Sequence, residues 1–169
     1  MISEKMNTAI NGQINAEMYS SYLYLSMATW FAEKSLSGFA TWMRAQAQEE
    51  MFHAMKMLDY VLERGGHVEY AAIDQPECNW STPLEVMEET ANHEAKVTGL
   101  INDLVDLALD ERDHAANIFL QWFVSEQVEE EASVGEIVDR MRMIGDGSQG
   151  LFAMDMEMGK RVFTAPTDE

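Results

Sequence analysis

A chain of 169 residues, 47% of them hydrophobic, suffices for one domain with a real core, expected over residues 1–169. Its formal net charge of −19 argues against nucleic acid and anionic membrane as partners and favours cations. No apolar run reaches spanning length, Met1-Ile2-Ser3-Glu4 is no basic leader, and a single cysteine, Cys78, permits neither an internal disulfide nor a thiolate cluster, so a cytoplasmic address is expected.

Long stretches rich in Ala, Leu, Met and Glu and free of Pro predict an all-α fold. Helices are expected over about 3–34, 38–65, 82–110, 113–144 and 148–162. Ser35-Leu36-Ser37-Gly38 breaks the first pair, with Ser37 as the expected N-cap of the second helix. Gly65-Gly66 ends that helix. Thr82-Pro83-Leu84-Glu85 has the form of a capping box with Pro at the first helical position. Asp113 is placed to cap the fourth helix, Gly145-Asp146-Gly147 ends it, and a tail follows from Thr164.

At helical spacing the first helix shows a stripe of Ile10, Ile14, Glu17, Ser21, Tyr24, Ala28 and Phe31. The second shows Phe39, Met43, Gln46, Glu50, His53, Met57 and Tyr60. The third shows Met87, Ala91, Glu94, Thr98, Ile101, Val105 and Ala108, and the fourth Ala116, Leu120, Phe123, Gln127, Glu130, Val134, Ile137 and Met141. Each stripe is apolar at its ends and polar near its middle. The hairpin turns bring Glu17 level with Glu50, and Glu94 level with Glu130. The segment 66–81, extended, spans about 50 Å, more than the roughly 40 Å of the second helix. It therefore reads as a long crossover that makes the second and third helices parallel and puts all four carboxylates in one layer.

Carboxylates in an apolar stripe are costly to bury without a compensating cation. Glu50-x-x-His53 shares one helix face, and Glu17, Glu94 and Glu130 converge on it. Four carboxylates and one imidazole suit two divalent ions, Fe, Mn or Zn and not Cu(I), in the di-iron arrangement of bundle proteins. Glu50 is expected to bridge both ions, Glu17 and His53 to complete one site, and Glu94 and Glu130 the other, with Gln127 beside them. Glu49, Glu126 and Glu129 flank these residues and read either as a third metal position or as a solvated acidic face. Tyr24, two turns beyond Glu17, is either an electron donor and ligand partner or a packed core tyrosine; Trp122 is a weaker redox candidate. Met154 and Met158 are candidates for an assembly contact. His67, His93 and His114 lack a convergent partner set, and His114 reads either as an exposed helix start or as part of a cation entry pore.

The segments Gln13-Ile14-Asn15-Ala16-Glu17, Gln48-Glu49-Glu50-Met51-Phe52-His53-Ala54 and Phe119 to Glu131 resemble the non-haem ferritins of bacteria and archaea, over about residues 1–163. The resemblance implies a ferritin-like four-helix bundle with a short fifth helix. It implies oxidation of Fe(II) by dioxygen or hydrogen peroxide and storage of ferric mineral in a hollow homo-oligomeric shell, usually of twenty-four subunits. It implies Glu17, Glu50, His53, Glu94 and Glu130 as ferroxidase ligands with Gln127 and Tyr24 nearby, and Glu49, Glu126 and Glu129 as a third site. Haem is not expected: the haem-containing relatives need a second Glu-x-x-His, and here the spacing reads Gln127-x-x-Glu130, although Met51 occupies the place of their haem-ligating Met. Two other readings are a di-iron peroxidase without bulk storage and an acidic helical scaffold with a vestigial polar core.

Overall fold

The structure, a computed structural model, describes residues 1–145 and 147–165; Asp146 in the fourth break and the end of the tail, with Pro166, lie outside them. Among the described residues five helices follow one another: α1 (Glu4–Glu33), α2 (Ser37–Glu63), α3 (Pro83–Asp110), α4 (His114–Ile144) and α5 (Ser148–Met158). Ser3 caps α1 by accepting the Met6 N–H at 3.1 Å. Thr82 caps α3 and Asp113 caps α4, each accepting an N–H three residues on. The Glu85 carboxylate accepts the Ser81 N–H at 2.6 Å, one residue earlier than a capping box requires.

The α2 cap differs from expectation. Ser37 is the first helical residue, and Leu36 before it offers no side-chain acceptor. The N–H groups of Gly38 and Phe39 instead donate to Asp155 Oδ1 of α5, at 2.8 and 3.0 Å. A carboxylate 116 residues away thus satisfies the start of α2 and complements its helix dipole. Gly38 permits the approach: a Cβ there would meet the Asp155 carbonyl oxygen at 1.6 Å. Asp155→Ala is expected to cost about 2 kcal/mol in chemical denaturation, with Asp155→Asn losing less because it keeps an acceptor. α5 itself stops at Met158, four residues before the expected end; Gly159 caps it where it passes Gly38, whose Cα lies 3.3 Å from where a Cβ on Gly159 would sit.

Contacts fix the directions of the helices. Ser20 meets His93, Tyr24 meets Glu94 and Thr90 meets Met27, so α1 and α3 are antiparallel. Gln46 meets Glu130, Tyr60 stacks on Phe119 at 3.8 Å, and Arg64 pairs with Asp113 at 3.0 Å, so α2 and α4 are antiparallel too. α1 and α2 form the first hairpin and α3 and α4 the second. It follows that α2 and α3 run parallel, joined by a crossover. That crossover lies along α1. Asn7 and Asn11 donate to the His67 carbonyl, Asn15 to Ala72, Ser26 to Glu77 and Trp30 to Trp80. These α1 donors are spread over about 35 Å of helix, and they satisfy backbone carbonyls that a sheet or helix would otherwise use.

Three of the four expected stripes are buried throughout. The third departs in part: Met87, Glu94, Ile101 and Ala108 are buried, but Thr90, Val97 and Leu104 fill the places between them, and Ala91, Thr98 and Val105 are only half-buried. Positions i+3 and i+4 flank the same seam, and α3 is turned so that its larger apolar side chains, Val97 and Leu104, face inward. The core is split in two. One apolar cluster gathers Phe31, Phe39, Met43, Met87 and Val134; the other gathers Ile10, Met57, Ile101, Leu120 and Phe123. Met154 and Met158 belong to the first cluster, so they pack inside the subunit and are not free for an assembly contact. Among the described residues, no helix is long and apolar enough to cross a membrane.

Candidate metal centre

Between the two apolar clusters lies a layer of buried polar side chains. Glu17, Glu50, His53, Glu94, Gln127 and Glu130 are each 5% exposed or less. Ligand atoms of Glu17, Glu50 and His53 all lie within 4.8 Å of one another, from α1 and α2. His53 Nδ1 and Glu50 Oε2 are 3.3 Å apart, as the i, i+3 spacing allows. The His53 ring is walled by Trp122 and Phe123, at 5.4 and 5.8 Å between centroids. Glu94 and Glu130, from α3 and α4, stand outside that 4.8 Å group but face it across the layer, close enough for both charges to act on Glu50.

Hydrogen bonds orient the carboxylates. Gln13 donates to Glu17 at 2.8 Å. Gln46 donates to Glu130 at 2.6 Å and reaches Glu50 at 3.4 Å. Gln127 donates to Glu94 Oε2 at 3.4 Å and to Thr98 Oγ1 at 3.2 Å. The Tyr24 hydroxyl donates to Glu94 Oε1. Tyr24 is itself backed by His93, whose ring nitrogen is 2.8 Å from Ser20 Oγ and whose pKa is driven down to about 4 by burial and by Lys96. His93 therefore does have partners, although none of them is a second metal ligand. Gln13 stands outside the first stripe, and Gln46, although it is in the second, was given no role at the layer. Both stand four residues before a layer carboxylate, and that shared Gln-x-x-x-Glu spacing was the signal available.

The electrostatics of the layer are those of anions short of a cation. Burial, reinforced by Glu50, pushes the Glu17 carboxyl well above the usual carboxylate range. Burial together with Glu94 and Glu130 does the same to Glu50. Glu94 is raised mainly by burial, and Glu130 is pushed up to about 8 by burial, Glu94 and Glu49. Glu17 Oε2 is fully buried with no hydrogen-bond partner. Among the described residues no lysine or arginine is buried. An orphaned carboxylate oxygen facing a carboxylate and an imidazole is a donor set suited to a divalent transition ion.

A second group adjoins the first. Glu49, His53 and Glu126 bring ligand atoms within 4.8 Å. Glu49 and Glu126 are half-buried, and Glu126 is raised by burial. Glu129 is exposed and stays outside the group. His114, the first residue of α4, and His67, in the crossover, are exposed, and Cys78 is an exposed thiol in the same crossover.

A four-helix bundle with one long crossover, holding a buried set of four glutamates and a histidine at its waist, belongs to the class of bundle proteins that bind metal in their core. Comparison with known proteins agrees. The ferritin-like domain family matches residues 7–144. The bacterial non-heme ferritin of Bacteroides fragilis (strain 638R) is 50% identical over 161 residues, covering 95% of this chain and all of that one. That of Campylobacter jejuni is 44% identical over 155 residues, covering 92% and 93%. Among solved structures, an engineered closed form of the Archaeoglobus fulgidus ferritin superposes with a TM-score of 0.96 at 52% identity, over 97% of this chain and all of that one. An open-pore ferritin from the same archaeon superposes with a TM-score of 0.94 at 52% identity, over 95% and 98%. The chain belongs to the ferritin family.

Proposed function

We propose that the chain stores iron and acts as a ferroxidase, taking Fe(II) into the buried layer, oxidising it to Fe(III) and passing ferric product to a mineral held in a hollow shell of identical subunits. The observation that carries this reading is the layer itself: four buried carboxylates, one of them with an orphaned oxygen, and, among the described residues, no buried lysine or arginine. Such a layer is costly when empty of cations and stabilised by two of them.

In this reading Glu50 lies between two Fe(II) ions. Glu17 and His53 complete one ligand set, and Glu94 and Glu130 the other. Gln13, Gln46 and Gln127 hold these carboxylates in place, so little reorganisation accompanies loading. Tyr24, bonded to Glu94, orients that ligand and stands as an electron donor at its edge. Carboxylates release their protons as Fe(II) arrives, and their negative charge favours Fe(III) over Fe(II). Each Fe(II) loses one electron to dioxygen or hydrogen peroxide. Ferric product leaves by the third position at Glu49 and Glu126, with exposed Glu129 as the next acidic step outward. The net charge of −19 draws Fe(II) to the subunit. The proposed setting is the cytoplasm, and the proposed assembly is a cage of twenty-four copies.

The test is anaerobic loading with Fe(II) followed by oxygen. The expected result is a transient absorbance and rapid oxidation of about two to three Fe(II) per subunit, one per proposed position. After continued feeding and gel filtration, particles should retain far more iron than their ligand sets can hold. Retention limited to the ligand sets would instead identify a peroxidase without storage. A light-scattering size equal to one subunit would remove the shell.

A further inference from the structure

Arg161 lies just past the end of α5, and its guanidinium pairs with the Glu49 carboxylate. It also lies 4.4 Å from the centroid of the Trp42 ring, which is buried on α2. Its charge is felt at Glu130, where it opposes the upward push of burial. Glu49 is the same carboxylate that groups with His53 and Glu126. One cation therefore already sits against the acidic group that flanks the main centre, delivered by a segment far away in sequence.

We propose that Arg161 is a resident cation of the third metal position and must be displaced before Glu49 can take a divalent ion. The inference rests on the third position proposed above. Its logic is electrostatic. In the empty protein the guanidinium neutralises Glu49 by contact, so a divalent ion arriving at that carboxylate competes with a charge already in place. Arg161 is held there by a partly exposed pair and one aromatic face, both weak enough for a divalent ion to displace. The geometry allows the exchange without moving α5. Residues 159–165 form no helix, Asp155 anchors their start through the α2 cap, and the Phe163 ring rests 6.0 Å from that of Phe52. Between these two anchors the Arg161 side chain can turn away on its own rotamers.

The test is calorimetric titration of the metal-free shell with Zn(II), which is redox-inert, using wild type, Arg161→Gln and Arg161→Lys. The expected result is two tight steps common to all three proteins, with a weaker third step that tightens about tenfold in Arg161→Gln and stays near wild type in Arg161→Lys. Adding Glu126→Gln to the Arg161→Gln variant should abolish that third step. A third step of wild-type affinity in Arg161→Gln overturns the role of Arg161 as a competitor and leaves the third position standing. Two steps only, in wild type and Arg161→Gln alike, overturn the third position and this inference with it. Particle size and thermal midpoint, measured in parallel, distinguish a mere staple: that role moves stability and leaves the third step where it was.

Discussion

Replacing Glu50 and His53 by alanine is expected to slow the initial oxidation of Fe(II) by roughly a hundredfold or more. Glu50 is the only layer carboxylate that has close contact with Glu17 and His53 and also feels both Glu94 and Glu130, so its loss breaks both ligand sets at once. His53 is the only imidazole in the layer. The substitution should leave the helices in place, because the removed groups belong to the costly polar layer and the flanking apolar clusters remain whole. Stopped-flow absorbance after mixing with aerated buffer gives the rate, and circular dichroism gives the fold. An informative control is Asp103→Asn, which removes one charge from the exposed face of α3. If the double variant matched the control, the acidic field alone would account for iron oxidation and the layer would have no part in it.

The second large effect is on the metal-free protein. A carboxyl whose folded pKa is raised contributes stability that is fully present below its unfolded pKa and is lost as pH rises through the folded one. For Glu130 that window runs from the ordinary carboxyl value of 4.5 to about 8, and Glu17, Glu50 and Glu94 move in the same direction. The chelator-treated protein should therefore melt at progressively lower temperature as pH rises from about 5 to about 8. Surface carboxylates complete their titration at the bottom of that range, so the slope above pH 6 belongs to the layer. Divalent cations should reverse the loss. Glu130→Gln should raise the metal-free melting point at pH 8 by about 5 °C or more, since the new side chain still accepts from Gln46 and carries no charge to bury. Scanning fluorimetry across pH decides the matter. A melting point that climbs from pH 6 to pH 8 without metal would mean the layer carries little buried charge.

Much of this architecture is written locally. Capping by Thr82 and Asp113 follows from side chains three residues from the N–H they accept, and the stripes of α1, α2 and α4 follow from helical period alone. The glutamate layer was legible for the same reason: an acidic residue at a core position is visible wherever the period is regular. What escaped was contact between distant segments. Nothing near Ser37 reveals that the cap of α2 is Asp155. Nothing in the third stripe distinguishes Ala91 and Thr98 from Thr90 and Val97 until α1 and α4 fix the turn of α3. Met154 and Met158 are spaced as a helix face, and spacing does not say whether that face meets a partner or its own bundle. Gln46 was visible as a stripe position, but its bond to Glu130 depends on α4.

The crossover has a bearing on how this chain can vary. Asn7, Asn11, Asn15, Ser26 and Trp30 grip main-chain carbonyls, which every amino acid supplies, while Tyr70 and Ile73 of the gripped segment point outward. Its route is thus dictated largely by the neighbouring helix, while side-chain packing is confined to a few positions such as Val68, Pro76 and Trp80. Substitutions at the outward-facing positions between them should drift without rerouting the backbone, and a short foreign epitope written there would be displayed in extended form.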